Sequence, residues 1–151
     1  MVGRRFYRDI PPSHMEATLI NERTTGDGVP RLLLVDDSAA QLKILGAVLS
    51  VLKLHVEQTL SGGEAFGLLL ASRFDLLITD WNMSPISGAQ LLAAMQLLPV
   101  ERRPRVIICT ADANLREVMN QSDVILAKPI SAENLLTAVT TLLPDVQRFY
   151  S

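Results

Sequence analysis

At 151 residues, with 48% hydrophobic and 20% charged side chains, the chain has the length of one domain and enough apolar surface to bury a core. That composition excludes wholesale disorder, and fourteen Lys and Arg against sixteen Asp and Glu leave a formal charge of −2, which implies no field for nucleic acid or anionic lipid. A single cysteine, Cys109, excludes an intrachain disulfide framework and a zinc site built on cysteines.

No apolar run approaches the roughly 20 residues of a membrane span. The Arg4-Arg5 pair is followed by Asp9, Pro11 and Pro12 where a signal peptide needs an apolar stretch. The expectation is a cytoplasmic protein that engages neither membrane nor nucleic acid directly.

Residues 1–30 read as an N-terminal extension. Pro11-Pro12 breaks regular structure, Ser13 and Glu16 have capping-box spacing, and a short helix over 14–23 would carry Met15, Leu19 and Ile20 on one side. Thr24-Thr25-Gly26-Asp27-Gly28 then reads as a linker. About ten residues make a marginal helix in isolation, so this one is ordered only if it docks.

A regular pattern begins at Arg31 and defines a domain over residues 31–144, with a tail over 145–151. Leu32-Leu33-Leu34-Val35 is an unbroken apolar run that stops at Asp36-Asp37, the mark of a strand covered on both faces. A helix follows over 38–53, with Leu42, Leu45, Leu49 and Leu52 in one stripe. Ile44, Val48 and Val51 lie around another side, either within a broad buried face or as a surface for a homodimer or another partner. Residues 55–58 form a weak strand, and Ser61-Gly62-Gly63-Glu64 has the spacing of a capping box opening a helix to about residue 72. A second buried strand runs over 74–79 and ends at Asp80. Helix 88–98 stops at Pro99, and strand 105–109 ends at Thr110. A short polar helix is expected over 112–120, strand 123–127 ends at Lys128-Pro129, and a last helix over 131–143 stops at Pro144.

Five strands alternating with five helices imply an open parallel sheet with helices on both faces, because parallel strands need crossovers of one hand. Ligands of such sheets bind beyond the carboxyl ends of the strands. There this chain places Asp36, Asp37, Asp80, Thr110 and Lys128. Any one of them alone could be a helix cap or a solvated charge. Together they have a coherent chemistry. Three carboxylates repel one another unless a cation sits among them, and hard oxygen donors suit Mg²⁺. A carboxylate, a divalent ion, a hydroxyl and an ammonium can between them take up a phosphoryl group.

On these residues the chain resembles the response-regulator receiver domains of two-component signalling, over residues 31–143. Asp36-Asp37, Asp80, Thr110 and Lys128-Pro129 fall on strand ends in that family's order. Asp80-Trp81-Asn82-Met83 is close to the chemotaxis response regulator, and Gly88 sits where the family opens its third helix. The resemblance implies a flavodoxin-like, doubly wound five-stranded sheet. It implies Asp80 as phosphoacceptor, Mg²⁺ on Asp36, Asp37, Asp80 and the backbone carbonyl of Asn82, Thr110 on the phosphoryl group, and Lys128 paired with both, with a cis peptide at Lys128-Pro129. The donor would be a histidine kinase or a histidine phosphotransfer protein, and the output a changed affinity for another protein. The chain would not be an enzyme beyond its own phosphoryl transfer and dephosphorylation, and residues 145–151 are too few for an output domain.

Three positions depart from that pattern. Ile125 stands where the family usually has the aromatic that swings when the Thr moves. The interval from Thr110 to Lys128 is about one helical turn short, which reshapes the surface most receivers signal through. Ser84-Pro85 replaces a Pro directly after Met83, which implies a local loop change. Asp112 either lines the path of hydrolytic water with Asn82 or caps a helix. Cys109 reads as a small core hydrophobe, and His14 and His55 have no partner pattern. Two other functions compete: a receiver fold used as a phosphorylation-independent docking module, and an Mg²⁺-dependent phosphohydrolase of the haloacid-dehalogenase type. The latter places its two aspartates as D-x-D, whereas Asp36 and Asp37 are adjacent.

Overall fold

The structure is a computed structural model that describes residues 27–111 and 122–149. The expected helices over 14–23 and 112–120, and Asp112 with the latter, lie outside the described residues. The rest forms β1 (Arg31–Val35), α1 (Ala39–Leu49), β2 (His55–Thr59), α2 (Gly62–Ala71), β3 (Leu76–Asp80), α3 (Gly88–Met95), a 3₁₀ turn (Val100–Arg102), β4 (Arg105–Thr110), β5 (Val124–Ala127) and α4 (Ala132–Leu142). All four strand pairings are parallel, in the order β2-β1-β3-β4-β5. The order reverses between β1 and β3, so the crevice at which such sheets bind ligands opens between Asp36 and Asp80.

The two-residue period of the strands sorts their side chains into two layers. Leu32, Leu34, Leu76, Ile78 and Ile107 face α1 and α4, meeting Leu42, Leu45, Leu49, Leu135 and Val139. Leu33, Val35, Leu77, Val106 and Ile108 face α2 and α3, meeting Ala65, Leu69, Leu91, Leu92 and Met95. Each fully buried leucine contributes about 1.5–3 kcal/mol by leaving water, so this double layer is what fixes the strand ends relative to one another.

Serine starts all four described helices. Ser38, Ser61, Ser87 and Ser131 each accept the N–H of the third helical residue. A full capping box forms at Ser87, where the Gln90 side chain returns to the Ser87 N–H. At Ser61 only half of the expected box forms. Glu64 instead accepts from the Thr59 hydroxyl, and Thr59 Oγ1 itself takes the Ser61 N–H at 3.2 Å.

Three boundaries are shorter than the apolar pattern implies. α1 ends at Leu49 rather than near residue 53, α3 at Met95 rather than 98, and β3 begins at Leu76 rather than 74. Leu52 continues the stripe of α1 from just past the helix, buried in the same cluster as Leu42, Leu45 and Leu49, on backbone that pairs with the C-terminal tail. Lys53 N–H donates to the Gln147 carbonyl at 2.7 Å, Phe149 N–H to the Val51 carbonyl at 3.1 Å, and Leu52 bridges antiparallel to Arg148. The second stripe of α1 divides as well. Val48 and Val51 pack against the core, whereas Ile44 is exposed.

Candidate functional site

Three of the polar strand-end residues are drawn into direct contact. β1 delivers Asp36 just past Val35, and β3 ends on Asp80. β5 ends one residue before Lys128, whose N–H donates to the Thr110 carbonyl at 2.9 Å and so seats the lysine beside the end of β4. The Lys128 ammonium lies 3.3 Å from Asp36 Oδ2 and 3.2 Å from Asp80 Oδ1. Both carboxylates are buried, while Asp37 next to them is exposed. Thr110 is buried at the end of β4, two residues past Ile108 in a strand whose Cys109 stands in register with Asp80.

Hydrogen bonds aim these groups. Asp36 Oδ1 accepts the Ser38 N–H at 2.9 Å, which turns the carboxylate back over the start of α1 and leaves Oδ2 for the lysine. Asp80 Oδ1 accepts a longer bond from the Asn82 N–H, at 3.4 Å. Trp81 N–H donates to the Cys109 carbonyl and Gly88 N–H to the Trp81 carbonyl, both at 2.9 Å, so the loop after Asp80 is pinned at both ends. Lys128-Pro129 is cis as the resemblance implies, and Ser84-Pro85 is cis too.

Glycine at 88 has a steric cause. A Cβ there would run into the Asp80 carbonyl oxygen and the Trp81 Cα, both backbone atoms of the loop that carries the carboxylate. Sequence spacing singled out Gly88, but only the structure shows that α3 starts in contact with Asp80 itself. The Thr59–Glu64 pair was missed altogether. Thr59 is buried at the carboxyl end of β2, and its carbonyl accepts the Asp36 N–H at 3.3 Å, so each of the five strands ends on, or is followed directly by, a polar residue.

The electrostatics follow from burial with too few cations. Burial pushes the Asp80 carboxyl upward, and the Asp36 charge adds to the rise; the hydrogen bond and charge of Lys128 oppose it without cancelling it. Burial works to lower Lys128, but the Asp80 hydrogen bond and the charges of Asp36 and Asp80 together outweigh it, so the ammonium is held more firmly than usual. The Cys109 thiol is pushed up to about 12, mainly by burial, as suits a core residue.

Carboxylate oxygens of Asp36, Asp37 and Asp80 lie within 4.8 Å of one another. An all-oxygen donor set with one exposed member, around a carboxyl that burial makes reluctant to ionise, fits a hard divalent cation that keeps some of its water. Ile125 is opposite Ile108 in the β4–β5 register and packs against the α2–α3 layer with Trp81 and Phe66. No described helix is long and apolar enough to cross a membrane.

The model of the response regulator receiver domain family matches residues 32–140. The signal transduction histidine-protein kinase BarA of Shigella flexneri is 33% identical over 127 residues, which take in 81% of this chain and 14% of that protein. The chain is therefore similar to a small part of that kinase. The chemotaxis protein CheY of Pseudomonas aeruginosa is 27% identical over 121 residues, 77% of this chain and 98% of that protein. The solved signal receiver domain of a putative LuxO repressor protein from Vibrio parahaemolyticus superposes with a TM-score of 0.70 at 27% identity, over 77% of this chain and 91% of that one.

Proposed function

This chain belongs to the response regulator receiver domain family, and from that premise we propose that Asp80 accepts a phosphoryl group from the phosphohistidine of a histidine kinase or phosphotransfer protein. The observation that carries the reading is the Lys128 ammonium held at 3.2–3.3 Å between Asp36 and Asp80 at the reversal point of the sheet. In the transfer, an Asp80 carboxylate oxygen attacks phosphorus, the P–N bond to the donor imidazole breaks, and the imidazole nitrogen keeps the electron pair.

The chain's own groups have distinct parts in this. Lys128 opposes the rise that burial gives Asp80, and its ammonium neutralises charge on the phosphoryl oxygens as they arrive. The Thr110 hydroxyl is a donor for one of those oxygens. Asp36, Asp37, Asp80 and the Asn82 carbonyl would hold Mg²⁺, which supplies further neutralisation of phosphoryl charge. With aliphatic Ile125 in place of an aromatic, the rearrangement that follows has no swinging ring, so the signal passes through Thr110 and the chain after it. The output is a change in affinity for another protein, and the chain turns over no substrate other than its own acyl phosphate.

Trp81, the sole tryptophan, follows Asp80 directly and reports on the site. Its fluorescence should change saturably with Mg²⁺ and again with beryllofluoride or acetyl phosphate, and the second change should vanish in Asp80→Ala. Intact mass after acetyl phosphate should rise by one phosphoryl group in the native protein alone. Absence of that mass would overturn the proposal in favour of the docking module, whose partner binding Asp80→Ala leaves intact. Sustained multi-turnover release of phosphate from small phosphomonoesters would instead favour a phosphohydrolase.

A further inference from the structure

Among the described residues six large apolar side chains are exposed, Ile44, Leu60, Leu70, Leu97, Val100 and Phe149, and three of them fall near the ends of α2 and α3. Leu70 at the end of α2 is half exposed, while Leu97 and Val100 after α3 are 78% and 70% exposed. Arg102 ties the two segments together, its guanidinium donating to the Leu69 and Leu70 carbonyls at 3.2 and 3.3 Å. Arg103 donates to the Leu98 and Gln96 carbonyls at 3.0 and 2.9 Å. Among the described residues these two guanidinia meet backbone carbonyls rather than carboxylates, so their positive charge is not neutralised. The result is an apolar and basic patch at the amino end of the sheet, away from Asp80. Ile44, by contrast, stands alone on its helix, and a single exposed isoleucine needs no partner.

The occupant is suggested by where the described chain begins. Asp27 Oδ2 sits 2.9 Å from His55 Nε2, and the His55 N–H donates to the Pro30 carbonyl, so the segment before β1 emerges at this same end of the sheet beside β2. A connector of residues 24–27 reaches up to about 14 Å, and the three strand spacings from β2 to β4 also amount to about 14 Å. The 3₁₀ turn with Val100 and Arg102 leads directly into β4. Residues 14–23 have the matching composition. Met15 and Leu19 are four apart, as are Glu16 and Ile20, so a helix there would present three apolar side chains with an acidic group on the same side. Glu22 flanks that side.

We propose that residues 14–23 of this chain dock on the patch formed by Leu70, Leu97, Val100, Arg102 and Arg103. The segment covers apolar surface that is otherwise wet and sets Glu16 against uncompensated guanidinium charge. It thereby competes with any other protein for that end of the molecule, and this requires nothing of Asp80.

The test is paramagnetic relaxation in the full-length protein. Ala17→Cys carries a nitroxide on the polar side of the segment, and the native thiol of Cys109 is buried and does not compete for the label. The amide signals of Leu97, Val100 and Arg103 should lose most of their intensity, and Leu19→Asp with Ile20→Asp should restore it. Val100→Glu, a change at an exposed position, should also restore it while leaving the rest of the spectrum in place. Full intensity at Leu97–Arg103 in the labelled native protein, or losses centred on Ile44, would overturn the proposal. So would losses that appear only when labelled protein is mixed with a separate isotope-enriched copy, because the docking would then be between molecules.

Discussion

At the amino end of the sheet the Asp75 and Asp123 carboxylates each accept one strand N–H, from Arg31 and Val106 at 2.8 Å, and Asp123 also pairs with Arg105 at 3.2 Å. At the carboxyl end Lys128 is, among the described residues, the one cation paired with Asp36 and Asp80, with Asp37 alongside. One end answers its carboxylates locally and uses them to lock strand register. The other end gathers carboxylates in excess of cations and holds them there by burial. A fold meant only to be stable has no reason to concentrate three carboxylates where two strands end, so the surplus sets this pole apart as the candidate site.

Mutations at the two poles should therefore fail differently. Asp80→Ala should abolish phosphoryl uptake, read as intact mass after acetyl phosphate, with little loss of stability. Asp75→Ala or Asp123→Ala should do the opposite, leaving uptake intact while stranding a strand N–H at a cost of about 1–3 kcal/mol in chemical denaturation. Uptake lost in both classes would mean that the two poles are coupled after all. Lys128→Ala should slow uptake by about 10²-fold, the usual size of one lost charge-stabilising donor. Its stability should become more dependent on added Mg²⁺, since Asp36 and Asp80 are left without their ammonium.

Gly88→Ala probes the joint between packing and chemistry. Its methyl group would press on the Asp80 carbonyl, so we expect about 1–3 kcal/mol of destabilisation from overpacking together with weaker beryllofluoride binding, measured by Trp81 fluorescence. Destabilisation with unchanged binding would show that the loop yields without moving the carboxylate. The smallest expected effect is at Cys109. With its thiol near 12 in the fold and lower when unfolded, the native protein should react with a thiol reagent only on unfolding. The sign of the linkage is fixed. Stability from this group is complete below the unfolded value of 9.0 and falls as pH rises from there toward about 12, because only the unfolded chain releases the proton. A denaturation midpoint compared between native protein and Cys109→Ala from pH 8 to 10 would measure it.

Much of this was legible from residue order because the signals are local. The Ser61 helix start, apolar runs of strand length and a polar residue at the end of four of those runs are written within a few positions of one another. The five residues chosen for the crevice follow from that punctuation. What escaped was set by distant parts of the chain. Leu52 looked helical because it joins the same buried cluster from just past the helix, on backbone held by pairing with residues 147–149, which no periodicity connects to it. Glu64 looked like the second half of a capping box, but Thr59 offered a nearer hydroxyl. Gly88 was placed by family spacing, while its reason, the close approach of α3 to the Asp80 backbone, is a contact between elements.

The pairing of residues 147–149 with Val51 and Lys53 bears on how the molecule can be handled. It brings the exit of the described chain to the start of β2, where the entry at Asp27 and His55 also lies. A surface tether placed at Asp27 or Phe149, the two ends of the described chain, would leave from the pole opposite Asp80. Immobilised molecules would then all present the same charged face to solution, a favourable orientation for measuring donor proteins in flow.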